Sequence, residues 1–116
     1  MDESFPKSYR IRTQREFDQI YAVDYFAADD TLVIRGRRND LEHCRLGLSV
    51  GKRVGNAVVR NLWKRRIREA FRKQKHDLPP GLDLVVRPRK GGKCDYAAIA
   101  RSIGRLAQRL DRKIPN

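Results

Sequence analysis

The sequence predicts an α+β fold, an α/β sandwich in which helices pack on a small central sheet. Apolar residues recur at helical spacing in three segments, and three other segments are short runs rich in β-branched residues. Turns that contain glycine or proline separate several of these segments. The predicted order is α-β-β-α-β-α, with a further short strand possible before the second helix. A length of 116 residues favours a single domain over residues 1–116.

The first helix is predicted from its N-terminal cap. Thr13 and Glu16 have the spacing of a capping box, which predicts a helix over residues 14–22. Three larger residues within this range lie at helical spacing: Phe17, Ile20 and Tyr21. Residues 1–12 show no regular pattern, and we expect a flexible N-terminal segment there.

Two strands are predicted after this helix. Residues 31–35 and 45–50 are rich in apolar and β-branched side chains, with a polar turn at residues 37–42 between them. We therefore expect the two strands to pair as an antiparallel hairpin. Residues 24–30 contain three acidic side chains and are expected to form a solvated loop.

The second half of the chain contains the longest predicted helix. Residues 51–55 form a connection that begins and ends with glycine, and Asn56 can cap a helix that continues to about Lys75. The Pro-Pro-Gly sequence at residues 79–81 ends this helix. Residues 82–87 then form a short apolar strand.

The last predicted element is an amphipathic helix. A basic loop at residues 89–93 precedes it, and Asp95 can act as its N-cap. Its apolar side chains form one stripe, which consists of Ile99, Ile103, Leu106 and Leu110. This stripe predicts that the helix packs on the sheet.

The chain is strongly basic. It has 27 Lys and Arg residues against 14 Asp and Glu residues, which gives a net charge of +13. Residues 44–116 hold 20 of the basic and only 5 of the acidic residues. Such an excess repels itself in a compact fold, and it is better explained as a potential that attracts a polyanion. No segment approaches the ~20 apolar residues of a membrane span, and without a signal peptide we expect a cytoplasmic location.

The helix over residues 56–75 has two faces. One arc of the helical wheel is apolar and should face the sheet: Val59, Trp63, Ile67, Ala70 and Phe71. The adjoining arc is polar and mostly basic: Asn61, Lys64, Arg65, Arg68 and Arg72, with Arg60 at the border. Residues 55–75 contain eight basic residues and one acid, Glu69, whereas a solvated face usually mixes both signs.

The basic arc predicts a nucleic-acid interface. Arginine binds phosphate through two parallel hydrogen bonds and stacks on bases. Asn61, between arginines, can bind a sugar or a base edge. Six phosphate contacts would give a log–log salt slope of roughly −4 to −5. The alternative, a basic surface helix that contributes only solubility, predicts almost no salt dependence.

Two aromatic residues suggest a second surface. Phe17 and Tyr21 are four positions apart in the sequence and lie on one face of the first helix. They either pack in the core or form a platform for unpaired bases, each stacked base being worth ~1–3 kcal/mol. Tyr21 has a polar hydroxyl and is the better candidate for an accessible position.

The sequence contains no recognisable catalytic site. Residues 47–52 resemble a phosphate-binding loop, but the spacing is one residue short and Arg53 stands where Ser or Thr is required. Ser49 has no recognisable triad partner. Four residues of metal-binding type lack the spacing of a zinc site: His43, Cys44, His76 and Cys94. A disulfide between the two cysteines is possible, but nothing requires it.

Residues 45–72 carry a pattern that is more specific than their charge. They read RLGLSVGKRVGNAVVRNLWKRRIREAFR, which resembles the signature of the bacterial ribonuclease P protein subunit. The most specific positions are Gly55-Asn56-Ala57-Val58, Arg60-Asn61, Lys64-Arg65, Ile67-Arg68 and Phe71. Weaker similarity extends over about residues 7–112, which is nearly the whole chain.

The resemblance implies a fold and a function. The fold is a small α/β sandwich with a left-handed β-α-β crossover, an exception to the usual right-handed rule. The implied function is that of the protein subunit of ribonuclease P, the ribonucleoprotein that removes the 5′ leader from precursor tRNA. Catalysis with Mg²⁺ belongs to the RNA subunit, so this chain would need neither an active site nor a metal. The implied partners are the catalytic RNA and precursor tRNA, without a membrane or a required protein partner.

The resemblance also assigns residues. RNA-subunit contacts are implied for Lys52, Arg53, Asn56, Arg60, Asn61, Lys64, Arg65, Arg68 and Arg72. Leader contacts are implied, in a cleft between the first helix and the sheet, for Phe17, Tyr21, Arg35, Arg60 and Lys64. Leu62 and Arg35 depart from the family. Relatives often have a third basic residue at the position of Leu62, and they often have an aromatic residue near the position of Arg35. Arg35 can instead stack on a base through its guanidinium plane.

Two other functions remain open from the residues alone. A stand-alone RNA-binding or ribosome-associated module would bind many structured RNAs with similar affinity. A DNA-binding protein would place residues 56–75 in the major groove, although the sequence has no second helix at the short spacing of a helix-turn-helix.

Overall fold

The structure is a computed structural model that describes residues 5–116. Its helices and strands follow one another as α1 (Gln14–Val23), β1 (Tyr25–Ala28), β2 (Leu32–Arg38), β3 (Arg45–Leu48), α2 (Ala57–Gln74), β4 (Leu82–Pro88) and α3 (Tyr96–Lys113). Short 3₁₀ turns occur at Lys7–Tyr9 and Lys52–Val54. This is the predicted α+β fold, and it contains a further short strand before α2, although that strand is β1, which precedes both of the predicted strands. Within the described residues, no helix is long and apolar enough to cross a membrane.

All three α-helices begin at the caps that the sequence predicts. The hydroxyl oxygen of Thr13 accepts the backbone N–H of Glu16 at 3.2 Å, and the Glu16 carboxylate accepts the N–H of Thr13. Asn56 caps α2 and Asp95 caps α3, with side-chain oxygens 3.0 and 2.9 Å from the backbone nitrogens that they bind. A cap of this kind is worth about 1 kcal/mol.

The four strands form one mixed sheet in the order β1-β2-β4-β3. Strands β1 and β4 pair antiparallel with β2, and β3 pairs parallel with β4. The predicted hairpin between β2 and β3 is therefore wrong, because β4 lies between them. The hairpin is formed by β1 and β2, and β1 lies inside the segment that we expected to be a loop. Its four residues include two alanines, which have low strand propensity, so pairing with β2 determines its conformation.

Asp29 also differs from the expectation of a solvated acidic loop. Its carboxylate accepts hydrogen bonds from the hydroxyl of Ser102 at 2.6 Å and from the N–H groups of Thr31 and Leu32 at 2.9 and 3.0 Å. Arg105 forms an ion pair with it at 3.0 Å. Burial alone would raise the pKa of Asp29, but these donors outweigh it and lower the pKa to about 2. Asp29 thus joins the start of β2 to α3.

Strand β3, helix α2 and strand β4 form a β-α-β unit between adjacent parallel strands. Such a crossover is what the resemblance implies, and its left-handedness remains a prediction from the family.

The sheet has two unequal faces because side chains alternate along each strand. One face packs against α2 and α3 and forms the main core. The predicted stripe of α3 is fully buried there: Ile99, Ile103, Leu106 and Leu110. The other face carries α1 over a small cluster of Ile11, Ile20 and Val85, with Phe17 packed beside it. Side chains on this second face are therefore only partly covered.

The inner face of α2 follows the helical wheel at all but one position. The buried residues are Trp63, Ile67, Ala70 and Phe71, as predicted. Val59 was expected to face the sheet but is 38% exposed. It lies over Gly55, where an added Cβ would be 2.9 Å from the Cβ of Val59. Gly55 has a φ of 156°, so the turn before α2 requires glycine for both conformation and space.

The N-terminal segment requires a correction over residues 5–12. Arg10 forms a parallel bridge with Leu46, and the N–H of Ile11 donates to the Leu46 carbonyl at 2.9 Å. Ile11 is buried, and the ring of Phe5 lies edge-on to Phe71 with centroids 5.5 Å apart. This part of the expected flexible segment packs on the sheet and on α2, while residues 1–4 lie outside the described residues.

Candidate nucleic-acid interface

The outer face of α2 carries polar and basic side chains that have no partners among residues 5–116. It consists of Arg60, Asn61, Lys64, Arg65 and Arg68. Within the part of the chain that the structure describes, none of these five side chains forms an ion pair or a side-chain hydrogen bond. We refer to these five residues as the α2 face. Its donors are available to an external anion.

Arg60 is half-buried, whereas the other two arginines of the α2 face are exposed. It lies at the border between the apolar and the basic arc, where the wheel predicted it. Its Nε atom is inaccessible to solvent and has no hydrogen-bond partner among the described residues. An unpaired donor of this kind is costly in the free protein.

Two predicted RNA-binding residues on α2 have intramolecular contacts, and their RNA contacts stay a prediction. The side-chain oxygen of Asn56 is occupied by the N–H of Val59 at the helix cap. Arg72 forms an ion pair with Glu69 at 2.6 Å, and its hydrogen bond lowers the pKa of Glu69. Arg66, which the wheel left off the basic arc, donates to the carbonyl of Cys94. The ends and the opposite side of α2 are thus stabilised internally, unlike the α2 face.

A basic cavity extends the positive surface beyond the start of α2. It has a volume of about 810 Å³ and lies between the turn at Lys52–Val54 and the loop after β4. Among the described residues, five cationic side chains and no carboxylate line it: Lys52, Arg53, Arg87, Arg89 and Lys90. Lys52 and Arg53 were predicted. The other three were missed, although the basic sequence of residues 89–93 could have revealed two of them.

The second predicted surface lies between α1 and the sheet. Phe17 is half-buried, and its ring lies on Gly47, where an added Cβ would be 2.9 Å from its Cζ. It also lines a cavity of about 370 Å³, together with Arg68 of the α2 face and Leu48 of β3. Phe17 therefore packs on the sheet and also lines a cavity, and its stacking on an unpaired base stays a prediction. Arg68, rather than Arg60 or Lys64, lines the cavity that contains Phe17.

Tyr21 and Arg35 lie together further along this surface. Tyr21 is 40% exposed, and the guanidinium carbon of Arg35 is 5.3 Å from its ring centroid. Arg35 also forms an ion pair with Asp24 at 2.7 Å. The guanidinium plane of Arg35 thus belongs to the predicted leader surface, but its charge is partly compensated.

A buried polar network holds α1 on the sheet. Arg45 binds both oxygens of Asp83 at 2.7 and 2.8 Å and binds Glu16 at 2.7 Å. Asn39 donates to Asp83 at 2.8 Å. Burial opposes the ionisation of Glu16, but the hydrogen bonds from Arg45 and from the N–H of Thr13 lower its pKa to about 2. One acid inside an apolar strand, Asp83, was the only sign of this network before the structure was known.

The described residues provide binding groups without a cluster of metal ligands. Among residues 5–116, no group of three or more His, Cys, Asp or Glu side chains is placed to hold a metal ion. Cys44 and Cys94 are free thiols, and burial raises the pKa of Cys44 to about 12. The groups gathered at the interface are arginines, lysines and aromatic rings, which suit phosphates and bases.

Comparison with known proteins identifies a family. The family model described as Ribonuclease P matches residues 5–111. The ribonuclease P protein component of Thermotoga petrophila is 34% identical over 116 residues, which cover 96% of this chain and 99% of that protein. The ribonuclease P protein component of Photorhabdus laumondii is 38% identical over 108 residues, which cover 91% and 90% of the two chains.

Solved structures give the same result. The RNase P protein of Staphylococcus aureus matches with a TM-score of 0.76 and 35% identity, over 88% of this chain and 94% of that chain. The RNase P protein of Thermotoga maritima matches with a TM-score of 0.66 and 31% identity, over 90% and 89%. The sequence signature, the mixed four-stranded sheet and these similarities lead to one conclusion: the chain belongs to the ribonuclease P protein family.

Proposed function

We propose that this chain is the protein subunit of ribonuclease P, and that it binds the catalytic RNA and the 5′ leader of precursor tRNA in the cytoplasm. The observation that carries this proposal is the α2 face, a set of donors without internal partners in a chain of this family. Arginine and lysine bind RNA mainly through phosphates, and each neutralised phosphate releases counterions.

The RNA subunit would contact two adjoining parts of the protein. The α2 face provides Arg60, Lys64, Arg65 and Arg68, with Asn61 between them. The basic cavity beside the start of α2 adds cations from two loops. Together they form a positive surface large enough for several phosphates of a folded RNA.

The leader would bind on the other surface, between α1 and the sheet. Phe17 and Tyr21 offer aromatic rings, and Arg35 offers a guanidinium plane. Stacking of this kind tolerates any base, which suits leaders of variable sequence. The cavity that contains both Phe17 and Arg68 joins this surface to the α2 face.

In this proposal, chemistry with Mg²⁺ belongs to the RNA subunit. The protein residues neutralise RNA phosphates and hold the leader, so less Mg²⁺ is needed to counter phosphate repulsion. The chain would therefore assist removal of the leader without contributing a catalytic group or binding a metal.

A reconstitution assay tests the proposal. The cognate RNA subunit is incubated with precursor tRNA at low Mg²⁺, with and without the protein. We expect the protein to accelerate cleavage at the mature 5′ end and to show no such cleavage alone. Absence of stimulation would refute the proposal. Equal affinity for precursor tRNA and unrelated structured RNAs in the complex would favour a stand-alone RNA-binding module.

The leader surface is tested at Tyr21, which is exposed and not part of the main core. Tyr21→Ala should weaken binding of leader-bearing substrate and leave mature tRNA unaffected. Tyr21→Phe retains the ring and serves as the matched control, with affinity close to that of the wild type. An equal loss on mature tRNA would instead assign Tyr21 to folding or to contact with the RNA subunit.

A further inference from the structure

One row of side chains crosses all four strands on the face that carries α1. Strand pairing places Phe26 opposite Arg35, Arg35 opposite Val85, and Val85 opposite Gly47. Adjacent strands lie about 4.8 Å apart, so this row spans roughly 14 Å. It starts at the outer edge of β1 and ends at β3, where the ring of Phe17 lies on Gly47.

The β1 end of the row is a stack of two rings and a guanidinium group. The guanidinium carbon of Arg35 lies 5.3 Å from the ring centroid of Tyr21 and 5.6 Å from that of Phe26. Phe26 is 46% exposed and Tyr21 40%, whereas the side chain of Arg35 is only 27% exposed. The stack thus presents two accessible rings around a largely covered cation.

Asp24 holds this stack in place. It is the C-cap of α1 and adopts a left-handed conformation with φ of 54°, which aspartate tolerates better than most residues. Its carboxylate binds Arg35 at 2.7 Å and is itself 75% exposed. This ion pair restricts the guanidinium group to the space between Tyr21 and Phe26.

The charge around the stack favours a polyanion. Lys113 lies 5.6 Å from the ring centroid of Phe26 and also donates to its backbone carbonyl at 2.8 Å. Arg109 donates to the neighbouring carbonyl of Ala28. The carboxylate of Asp24 is already paired with Arg35. A ring that is exposed beside cations fits an unpaired base whose phosphate lies near those cations.

We propose that Phe26, together with Tyr21 and Arg35, forms a second base-binding site for an unpaired nucleotide of the leader. This site lies at the far end of the row from Phe17, so it takes leader nucleotides further from the α2 face. Asp24 is a positioning residue that acts through Arg35. The inference rests on the proposed function and adds a binding residue on β1, a strand that the sequence did not predict.

A series of leader lengths tests the site. The complex of the full chain with its cognate RNA subunit is titrated with precursor tRNAs whose leaders are shortened from the 5′ end one nucleotide at a time. Phe26→Ala should match the wild type on short leaders and bind long leaders about tenfold more weakly, the equivalent of about 1.4 kcal/mol. Identical affinities at every length, or an equal loss on mature tRNA, would overturn the proposal.

Control variants separate stacking from packing. Phe26→Trp retains a ring and should bind long leaders like the wild type, whereas Phe26→Leu should behave like Phe26→Ala. Leu41→Ala removes another large side chain, 42% exposed, in the loop between β2 and β3, and should bind every leader like the wild type. If Phe26→Leu binds long leaders as the wild type does, the ring does not stack on a base.

Asp24→Asn tests positioning, because it keeps the size of the side chain and removes its charge. Asp24→Asn and Phe26→Ala should begin to bind more weakly than the wild type at the same leader length, with a smaller loss of affinity for Asp24→Asn. The melting temperature of Asp24→Asn should equal that of the wild type. Unchanged binding would remove Asp24 from the site. If the affinity of the wild type does not depend on leader length, the proposed function fails. If the affinity of the wild type does depend on leader length and Phe26→Ala shows the same dependence, only the second base-binding site fails.

Discussion

Helices α2 and α3 each have 18 residues and several basic side chains, yet their cations have different partners. On α3, Arg105 binds Asp29 at 3.0 Å, Arg109 donates to the carbonyl of Ala28 at 3.2 Å, and Lys113 donates to that of Phe26 at 2.8 Å. The α2 face has no such contacts among the described residues. We therefore infer that adjoining cations without internal partners, rather than a high density of basic residues, indicate an RNA-binding face.

The contacts of α3 have a structural purpose. They join the helix to β1 and to the turn that follows it, the part of the sheet with the weakest sequence preference. The α2 face leaves its donors to solvent at a cost in self-repulsion. We infer that the partnered cations of α3 serve folding and that, of the two helices, α2 provides the cations that bind the RNA subunit.

The largest expected effect follows from removing two cations of the α2 face. In Arg65→Ala/Arg68→Ala, both side chains are exposed, so the melting temperature should stay within a few degrees of the wild type. Affinity for the RNA subunit at fixed salt should fall about 100-fold or more, because a hydrogen bond to a charged group is worth roughly 1.5–3 kcal/mol. Affinity within twofold of the wild type would contradict the assignment of this face.

The second effect concerns stability on the α3 side. Asp29→Ala removes an acceptor shared by Ser102, Arg105 and the N–H groups at the start of β2. We expect a loss of roughly 1–3 kcal/mol in the free energy of unfolding, since buried donors lose their partner. Denaturant unfolding measures this loss. A variant as stable as the wild type would show that α3 does not hold this turn.

The same carboxylate predicts a dependence on pH. Its pKa is about 2 in the folded state against an ordinary value of 3.8, so ionised Asp29 stabilises the fold above about pH 4. That contribution, roughly 2 kcal/mol, should be lost as pH falls from 4 towards 2. Glu16 acts in the same direction. Unfolding measured at pH 6 and pH 3 should show a smaller difference for Asp29→Asn than for the wild type, and equal differences would contradict the prediction.

The smallest effect is expected at the remaining exposed cations of α3. Arg101 and Arg112 have no ion pair or side-chain hydrogen bond within the described residues, but they lie eleven positions apart on the helix and do not adjoin as the cations of the α2 face do. The double variant Arg101→Ala/Arg112→Ala should change stability by no more than about 0.5 kcal/mol and leave RNA-subunit affinity unchanged. A clear loss of affinity would extend the RNA-binding surface onto α3.

The sequence predicted local features well. Caps at Thr13, Asn56 and Asp95 depend on neighbouring residues, and so do the apolar stripes of α2 and α3. Strand pairing does not depend on neighbouring residues. Strand β4 lies between β2 and β3 in the sheet, but it follows both of them in the chain and is separated from β3 by the whole of α2. The hairpin error has this cause.

The site was predicted in part for the same reason. The wheel identified the α2 face from periodicity, but it could not show that Arg72 pairs with Glu69. Asn56 was predicted both as the cap of α2 and as an RNA contact, and as the cap its side-chain oxygen is occupied. The position of Arg87 beside the Lys52–Val54 turn and that of Phe26 opposite Arg35 depend on which strands are neighbours. Features that depend on neighbouring residues could therefore be predicted from the sequence, and features that depend on long-range strand pairing could not.

The salt dependence of RNA-subunit affinity tests the difference between the two helices most directly. It is measured for the wild type, for Arg65→Ala/Arg68→Ala and for the matched α3 variant Arg105→Ala/Arg109→Ala. The α2 variant should flatten the log–log slope by roughly 0.7–0.9 for each lost phosphate contact, and the α3 variant should keep the wild-type slope. Equal slopes for the two variants would contradict the account, because the cations of α2 and α3 would then contribute alike.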